Sequence, residues 1–206
     1  MSWVPSSRRT RSQNPPVSSE HGEVGAVSLT REEIAARVTE LGAAIAADFE
    51  GLDPLLIAPL KSSVVFLADL TRALPIPHTL DIVELAPYTG APAGTAGGVR
   101  LLKDVDVPLE GRHVLLVEDV VDTGLTLHFL CKTLSLRDPA SLGAVTLLDR
   151  PHRRLVDELP LRYVGFVVPD ELFAGYGLGL DERWRALPDL HVVAATELPA
   201  AASDAA

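Results

Sequence analysis

The chain has 206 residues, in which 18 Lys and Arg stand against 28 Asp and Glu; its formal net charge is −10 and 47 % of it is hydrophobic. This length suits one domain with its own core, and the single cysteine, Cys131, excludes an intramolecular disulfide and predicts a reducing compartment, the cytoplasm. The acidic balance excludes a general nucleic-acid binder, because that binding depends on Lys and Arg that replace counterions around the phosphates.

The two ends of the chain are predicted to be flexible tails. Residues 1–27 contain an Arg-Arg-Thr-Arg run at 8–11 but no apolar stretch that would suit a signal peptide. This run could form a nucleic-acid arm, although a few charges beside an acidic body favour plain solvation. Residues 197–206 are rich in Ala and show no periodicity. One domain is therefore expected over 28–196, and because no run of about 18 apolar residues occurs, no membrane partner is expected.

The first half of this domain begins with a helix. Thr30 and Glu33 have the spacing of a capping box, and apolar residues recur at helical intervals until Gly51. The elements expected next are a strand buried on both faces at Leu55–Leu60, a helix at Val64–Leu74, a strand at His78–Leu85 and a mobile loop at Pro87–Gly98.

The second half repeats the order of strand, loop and helix. Val114–Val117 is a second apolar run, which Glu118 and Asp119 end abruptly, and helical spacing returns at Leu125–Leu136. Further short strands are predicted at Ala144–Leu148, Tyr163–Val168 and Leu190–Val193. Because strands and helices alternate, the sequence predicts an α/β fold with a mainly parallel, twisted sheet flanked by helices.

The segment 117–126 carries the richest chemistry, at the point where a buried strand leads into a helix. Ligands of open α/β sheets bind at such strand ends. Asp122–Thr126 offers consecutive backbone N–H groups, a glycine, two hydroxyls and a helix N-terminus, which suit a phosphate monoester. Glu118 and Asp119 would repel a phosphate and are better suited to sugar hydroxyls or a hydrated Mg²⁺. A sugar phosphate satisfies both halves, whereas the alternative is an acidic turn that merely caps the helix.

The motif Val-Glu-Asp-Val-Val-Asp-Thr-Gly at 117–124 resembles the phosphoribosyl pyrophosphate (PRPP) signature of type I phosphoribosyltransferases. The longer pattern, from about Leu56 to Val193, is similar to the hypoxanthine-guanine branch. Its supporting segments are 60–70, 147–154, 163–166, 175–178 and 185–188. The resemblance implies a type I phosphoribosyltransferase-like core with a mobile loop and a small hood, built from the N-terminal helix region and residues 168–196. It also implies a homodimer or homotetramer.

The resemblance implies purine salvage. The phosphoribosyl group of PRPP passes to a 6-oxopurine, hypoxanthine with guanine as a possible second base, to give IMP or GMP and pyrophosphate with Mg²⁺ present. Asp122 matches the carboxylate that takes a proton from the purine. Glu118 and Asp119 match the residues that hold the ribose hydroxyls, directly or through Mg²⁺. The phosphate-binding residues implied are Asp122, Thr123, Gly124, Leu125 and Thr126.

Other segments imply the rest of the site. Lys61 and Ser62 match the pyrophosphate loop, where the family has an unusual cis peptide, and Arg185 matches a second diphosphate contact. The purine would meet Arg150, where the family usually has a Lys, together with Leu172 on its face and the backbone of Phe173 at its edge. Tyr88 matches an aromatic hydroxyl position in the hood loop, which closes over the reacting centre.

Three departures from the family pattern touch the purine or metal side. Gly179 stands where the family has an Asp that helps to bind Mg²⁺, and Asp181 is the nearest replacement. Arg150 presents a planar guanidinium group where the family has the compact ammonium group of a Lys. Pro87, which has no backbone N–H, replaces the Ser that usually precedes Tyr88.

These departures leave two hypotheses. One is an active 6-oxopurine phosphoribosyltransferase. The other is a phosphoribosyltransferase-like sensor that binds PRPP or a purine nucleotide without catalysis. A further alternative is an enzyme for a different base. Retention of Lys61, Asp122 and Arg185 favours the enzyme, since a sensor needs no proton acceptor.

Overall fold

A six-stranded sheet lies at the centre of the fold. The computed structural model describes residues 18–19, 22–87, 99–180 and 182–193. In chain order the elements are β1 (Ser18–Ser19), β2 (Gly22–Glu23), β3 (Val27–Leu29), α1 (Arg31–Asp48), β4 (Leu55–Leu60), α2 (Val64–Ala73), β5 (Thr79–Pro87), β6 (Val99–Lys103), β7 (His113–Val121), α3 (Leu125–Ser135), β8 (Ser141–Asp149), a 3₁₀ turn (Pro151–Arg153), β9 (Leu161–Val167), β10 (Leu172–Ala174) and β11 (Leu190–Val193).

The central sheet has the strand order β6-β5-β4-β7-β8-β9. Its neighbours are parallel except for β6, which runs antiparallel to β5 at the edge. Leu56 and Ala58 of β4 belong to the core shared with α1 and α2, whereas Leu55 and Ile57 belong to the core shared with α3. Alternate residues of one strand thus meet helices on opposite faces, which explains the unbroken apolar run and confirms the predicted α/β fold.

Helix α1 is held at its start by the capping box that the sequence predicts. The backbone N–H of Glu33 donates to Thr30 Oγ1 at 3.2 Å, and the backbone N–H of Thr30 donates to Glu33 Oε2 at 3.0 Å. Its residues Ile34, Val38 and Ile45 are buried in the core. The N–H groups of Thr30 and Glu33, which the helix itself leaves unpaired, are therefore satisfied by this capping box.

A second, antiparallel sheet has the strand order β10-β11-β3. Leu190–Val193 forms a strand as expected, and it pairs with β3 and β10, which the sequence did not predict as strands. Both partners are three residues long, which is too short for a periodic pattern to reveal. We call β3, β10 and β11 the hood sheet.

The hood sheet also shortens the predicted N-terminal tail. Val24 is buried, His191 Nδ1 lies 3.0 Å from the carbonyl oxygen of Gly25, and the backbone N–H of Val192 donates to the carbonyl of Ala26. Residues 24–27, which the sequence analysis places in a tail, therefore pack against β11. The rest of that tail, apart from the short strands β1 and β2, lies outside the described residues, as does the predicted tail at 197–206.

Two further differences from prediction concern strands. β6 was not predicted, because its five residues follow directly on a stretch of turn-forming residues. β7 continues to Val121, so Glu118 and Asp119 lie within the strand instead of ending it. The mobile loop predicted at 87–98, including Tyr88, lies outside the described residues except for Pro87, the last residue of β5. None of the helices in the described part of the chain has the length and apolarity that a membrane span needs.

Candidate active site

The candidate site residues lie around the carboxyl ends of three neighbouring strands. β4, β7 and β8 are adjacent and parallel, so their carboxyl ends share one edge of the sheet. Lys61 directly follows β4, Asp122 directly follows β7 and Arg150 directly follows β8. The topology therefore brings together residues that are far apart in the chain, at the edge where open α/β sheets bind ligands.

Glu118 and Asp119 are buried carboxylates of β7, 4 % and 5 % exposed. Burial, with a smaller effect from the charge of Asp119, raises the pKa of Glu118 well above its ordinary value. Glu118 Oε1 is buried without a hydrogen-bond partner. A buried carboxylate oxygen without a donor is costly, so this position is suited to a hydroxyl or cation brought by a ligand.

Asp119 has partners that Glu118 lacks. The hydroxyl of Ser63 donates to Asp119 Oδ1 at 3.1 Å, and the backbone N–H of Asp119 donates to Ser63 Oγ at 3.3 Å. Burial raises the pKa of Asp119, while hydrogen bonds from the Ser62 and Ser63 side chains oppose this rise. Sequence reasoning missed Ser63, whose hydroxyl precedes α2 but makes no cap hydrogen bond to it. The serine instead ties the loop after β4 to β7.

The loop 122–126 has the backbone geometry that its sequence predicts. Gly124 has φ of 82° and stands directly before α3, whose first turn has no acidic residue and no side-chain cap. A Cβ at this position would also lie 2.8 Å from Leu159 Cδ1. Whereas Thr30 and Glu33 form a capping box on α1, the N-cap of α3 is a glycine without a side chain; Thr123 Oγ1 accepts from the backbone N–H of Leu125 at 3.4 Å, and other N–H groups of this turn remain for an external acceptor. Such a helix terminus binds anions.

Arg150 lies between two carboxylates, and its side chain is only 7 % exposed. Its Nη1 donates to Asp122 Oδ2 at 3.3 Å and its Nη2 to Asp170 Oδ1 at 2.6 Å. Arg153 approaches the same two carboxylates, at 3.5 and 3.6 Å. We call Asp122, Arg150, Arg153 and Asp170 the buried-arginine cluster. Arg150 Nε within it is buried and has no partner, so one donor remains for a ligand.

The predicted purine contacts Leu172 and Phe173 lie in β10 of the hood sheet. Phe173 is buried in the core shared with α1 and α2, while Leu172 is half-buried. Asp170, which sequence reasoning missed, stands two residues before Leu172 and contacts Arg150. This contact brings the start of β10 next to the end of β8, a proximity with no local sequence signal.

A second group of charges surrounds the loop after β4. The Leu60–Lys61 peptide bond is cis, as the resemblance implies for this loop. Lys61 Nζ donates to Glu182 Oε2 at 2.9 Å, and Arg185 Nη2 donates to Glu182 Oε1 at 3.0 Å. We call Lys61, Glu182 and Arg185 the surface-cation cluster. It joins two of the predicted site residues through a glutamate that the sequence analysis did not single out.

Gly179 lies against Arg185. A Cβ at position 179 would be 2.8 Å from Arg185 Cγ and 2.9 Å from both its Cζ and its Nε. Arg185 Nη1 also donates to the carbonyl of Gly177 at 2.9 Å. The missing side chain at 179 therefore leaves the space in which Arg185 lies. Asp181 falls outside the described residues.

The described residues include no group of three or more His, Cys, Asp or Glu side chains suited to a metal ion. Glu118 and Asp119 nevertheless offer two adjacent carboxylates, one with an oxygen that lacks a partner. Mg²⁺ is commonly held by one or two carboxylates while waters and substrate phosphates complete its shell. The pair therefore fits a hydrated divalent cation that is shared with a phosphorylated substrate.

Known proteins resemble the chain along most of its length. The model of the phosphoribosyl transferase domain matches residues 28–173. The hypoxanthine-guanine phosphoribosyltransferase of Mycobacterium avium is 44 % identical over 172 residues, covering 81 % of this chain and 84 % of that protein. The hypoxanthine phosphoribosyltransferase of Salmonella typhimurium is 42 % identical over 164 residues, covering 79 % and 91 %. A hypoxanthine-guanine phosphoribosyltransferase structure from Bacillus anthracis superposes with a TM-score of 0.76 at 42 % identity, covering 83 % and 98 %.

Proposed function

The chain belongs to the phosphoribosyl transferase domain family, and from that premise we propose that it transfers the phosphoribosyl group of PRPP to a 6-oxopurine in purine salvage. The observation that carries this proposal is the pairing of Asp122 with Arg150 at 3.3 Å, next to the uncapped start of α3. It sets a proton acceptor and a hydrogen-bond donor side by side, close to a phosphate-binding terminus. The comparisons do not favour the alternative of a non-catalytic sensor.

The 5′-phosphate of PRPP binds the loop from Asp122 to Thr126. Backbone N–H groups of Thr123, Gly124 and Thr126 would donate to the phosphate oxygens, Leu125 N–H would exchange its 3.4 Å contact with Thr123 Oγ1 for one of them, and the positive end of the α3 dipole adds to the attraction. Gly124 allows the left-handed turn that this cradle needs. This end of the site is independent of the base, so it anchors the sugar phosphate while the other groups act.

The ribose hydroxyls donate to Glu118 and Asp119. Glu118 Oε1, which has no partner in the protein, gains one from the sugar, and Ser63 keeps Asp119 in place. The family implies a divalent metal, and we assign Mg²⁺ to the same two carboxylates, where it would neutralise charge on the diphosphate. Displacement of water from these buried carboxylates strengthens their interactions with the sugar.

The reaction forms a bond from a purine ring nitrogen to C1 of the ribose and breaks the bond from C1 to the diphosphate oxygen. Asp122 accepts the proton that the purine loses from its imidazole edge. Arg150 donates through its unpaired Nε–H to the 6-oxo group, and Leu172 packs on the ring. Lys61 and Arg185 take up the negative charge of the departing pyrophosphate. The hood loop with Tyr88 would close over this centre and exclude water.

Two other expectations belong to this proposal. The single cysteine supports a cytoplasmic location, since cytosolic proteins keep their thiols reduced. The family resemblance supports a homodimer or homotetramer.

A base screen tests the function. The protein is incubated with Mg²⁺, PRPP and one of hypoxanthine, guanine, xanthine or adenine, and the release of pyrophosphate is measured together with nucleotide formation. We expect turnover with hypoxanthine, and no turnover with adenine because its 6-amino group would face the Arg150 donor. If no base were consumed although calorimetry showed PRPP binding, the chain would be a sensor.

A further inference from the structure

Glu182 bridges the two cations of the surface-cation cluster. Its Oε2 accepts from Lys61 Nζ at 2.9 Å and its Oε1 accepts from Arg185 Nη2 at 3.0 Å. Lys61 follows β4, whereas Glu182 and Arg185 lie between β10 and β11. The carboxylate therefore links two separate parts of the fold, with one oxygen for each cation.

The two cations have donors to spare. Arg185 uses Nη1 for the carbonyl of Gly177, but its Nε is buried without a partner. Within the described ranges, Glu182 is the acidic side chain that pairs with Lys61. Lys61 and Arg185 carry two positive charges and share the single negative charge of Glu182, so the cluster keeps a net positive charge. An anion that carries more negative charge than one carboxylate is therefore attracted to it.

We propose that Glu182 is an internal counter-ion of the diphosphate site, which occupies the anion position between Lys61 and Arg185 until the diphosphate of PRPP or free pyrophosphate displaces it. This inference rests on the proposed function, which assigns those two cations to the diphosphate. Glu182 then competes with substrate and product for the same donors. Its charge lowers the affinity for pyrophosphate and so helps the product to leave.

The exposure of the cluster makes such displacement feasible. The side chains of Lys61 and Glu182 are both 65 % exposed. Exposed ion pairs contribute little to stability, because water and salt screen them and ordering two long side chains costs entropy. A diphosphate bearing several charges can therefore replace one carboxylate without disrupting the fold.

Gly179 contributes to this arrangement. Because position 179 has no Cβ, the side chain of Arg185 packs directly over it, with Cγ and Nε within 2.9 Å of where a Cβ would be. From this position Arg185 reaches both the Gly177 carbonyl and Glu182. Any side chain at 179 would force the guanidinium to move.

The experiment measures pyrophosphate binding by calorimetry, in the presence of Mg²⁺, on the full chain and on Glu182→Gln. We expect the Kd for pyrophosphate to fall about two- to fivefold, the scale of one exposed ion pair, and product inhibition by pyrophosphate to strengthen in parallel. An unchanged or higher Kd would overturn the counter-ion role. Glu110→Gln is the matched control, since it removes an equal charge at an exposed site before β7, at the opposite edge of the sheet, and should leave the Kd unchanged.

Lys61→Ala separates this inference from the function on which it rests. If Lys61→Ala weakens pyrophosphate binding while Glu182→Gln does not tighten it, the diphosphate site stands and the counter-ion role is wrong. If Lys61→Ala has no effect on the Kd, the assignment of Lys61 to the diphosphate is itself wrong. A thermal melt of each variant shows whether the fold is intact.

Discussion

The two charge clusters of the candidate site differ mainly in burial. Arg150 of the buried-arginine cluster is 7 % exposed, whereas Lys61 of the surface-cation cluster is 65 % exposed. Both pair cations with carboxylates at similar distances. Asp122 and Asp170 are 34 % and 59 % exposed, so it is Arg150 that would be left charged and poorly solvated if these contacts were lost, whereas an exposed pair exchanges readily with water or a ligand.

This difference suits the two halves of the proposed reaction. The purine must be recognised by groups in fixed positions, and the buried-arginine cluster holds Asp122 and Arg150 against each other. The diphosphate arrives on one substrate and leaves as a product, so its cations need partners that are easily exchanged. Substitutions in the two clusters should therefore have effects of different size.

The largest effect is expected for Asp122→Asn, which removes the proton acceptor but keeps the shape of the side chain. Turnover should fall about 10²- to 10⁴-fold, the usual contribution of general acid–base catalysis, while the Kd for PRPP stays nearly constant. Steady-state kinetics and PRPP calorimetry measure the two quantities. Asp157→Asn, at an exposed position between β8 and β9, is the control. Equal losses in turnover and PRPP affinity would mean that Asp122 only binds substrate.

Asp170→Asn tests whether the buried-arginine cluster positions Arg150. The substitution weakens the 2.6 Å contact with Arg150 Nη2 but keeps an acceptor there, so the KM for hypoxanthine should rise about three- to tenfold, the net value of one ordinary hydrogen bond. The Kd for PRPP should not change.

A double-mutant cycle shows whether Asp170 acts through Arg150. In an Arg150→Ala background, Asp170→Asn should have no further effect on the KM for hypoxanthine. An additive effect of the two substitutions would contradict a positioning role for Asp170.

Glu118→Gln measures what it costs the fold to bury an ionised carboxylate that lacks a hydrogen-bond partner. Glu118 is such a residue, because it is buried and its Oε1 has no partner. Burial raises the pKa of Glu118 in the folded protein well above its ordinary value, which it keeps in the unfolded chain. At a pH between these two pKa values, Glu118 is protonated in the folded protein and ionised in the unfolded chain. Stability therefore falls as the pH rises through that window. Gln carries no charge and abolishes this loss of stability. The Tm of the ligand-free protein at pH 8 should therefore rise by about 2–4 °C for each kcal/mol gained in the free energy of unfolding. PRPP binding should weaken. A lower Tm would show that the ionised Glu118 is already satisfied.

Local patterns accounted for the parts of the site that lie on single segments. The motif at 117–124 contains the start of the loop proposed to bind the phosphate, with its glycine at positive φ, and the unbroken apolar run at 55–60 indicated a strand buried on both faces. The same local patterns misplaced the end of β7, because two acidic residues normally stop a buried strand. Here Ser62 and Ser63 donate to Asp119 from the neighbouring loop, and this support could not be foreseen from 117–124 alone.

By itself, the sequence determined the α/β class, the order of the main helices and strands, and the segments that carry the chemistry, because these depend on periodicity and on neighbouring residues. Only the tertiary structure decided the partners: Arg150 with Asp170, Ser63 with Asp119, and Lys61 with Glu182, which is 121 positions away. Contacts between distant segments depend on strand order and on how the hood sheet packs, and neither is encoded in a local pattern. Burial was likewise decided in three dimensions: it encloses the Arg150 side chain, which therefore depends on its carboxylate partners, and it leaves Lys61 in an exposed contact that a ligand can replace.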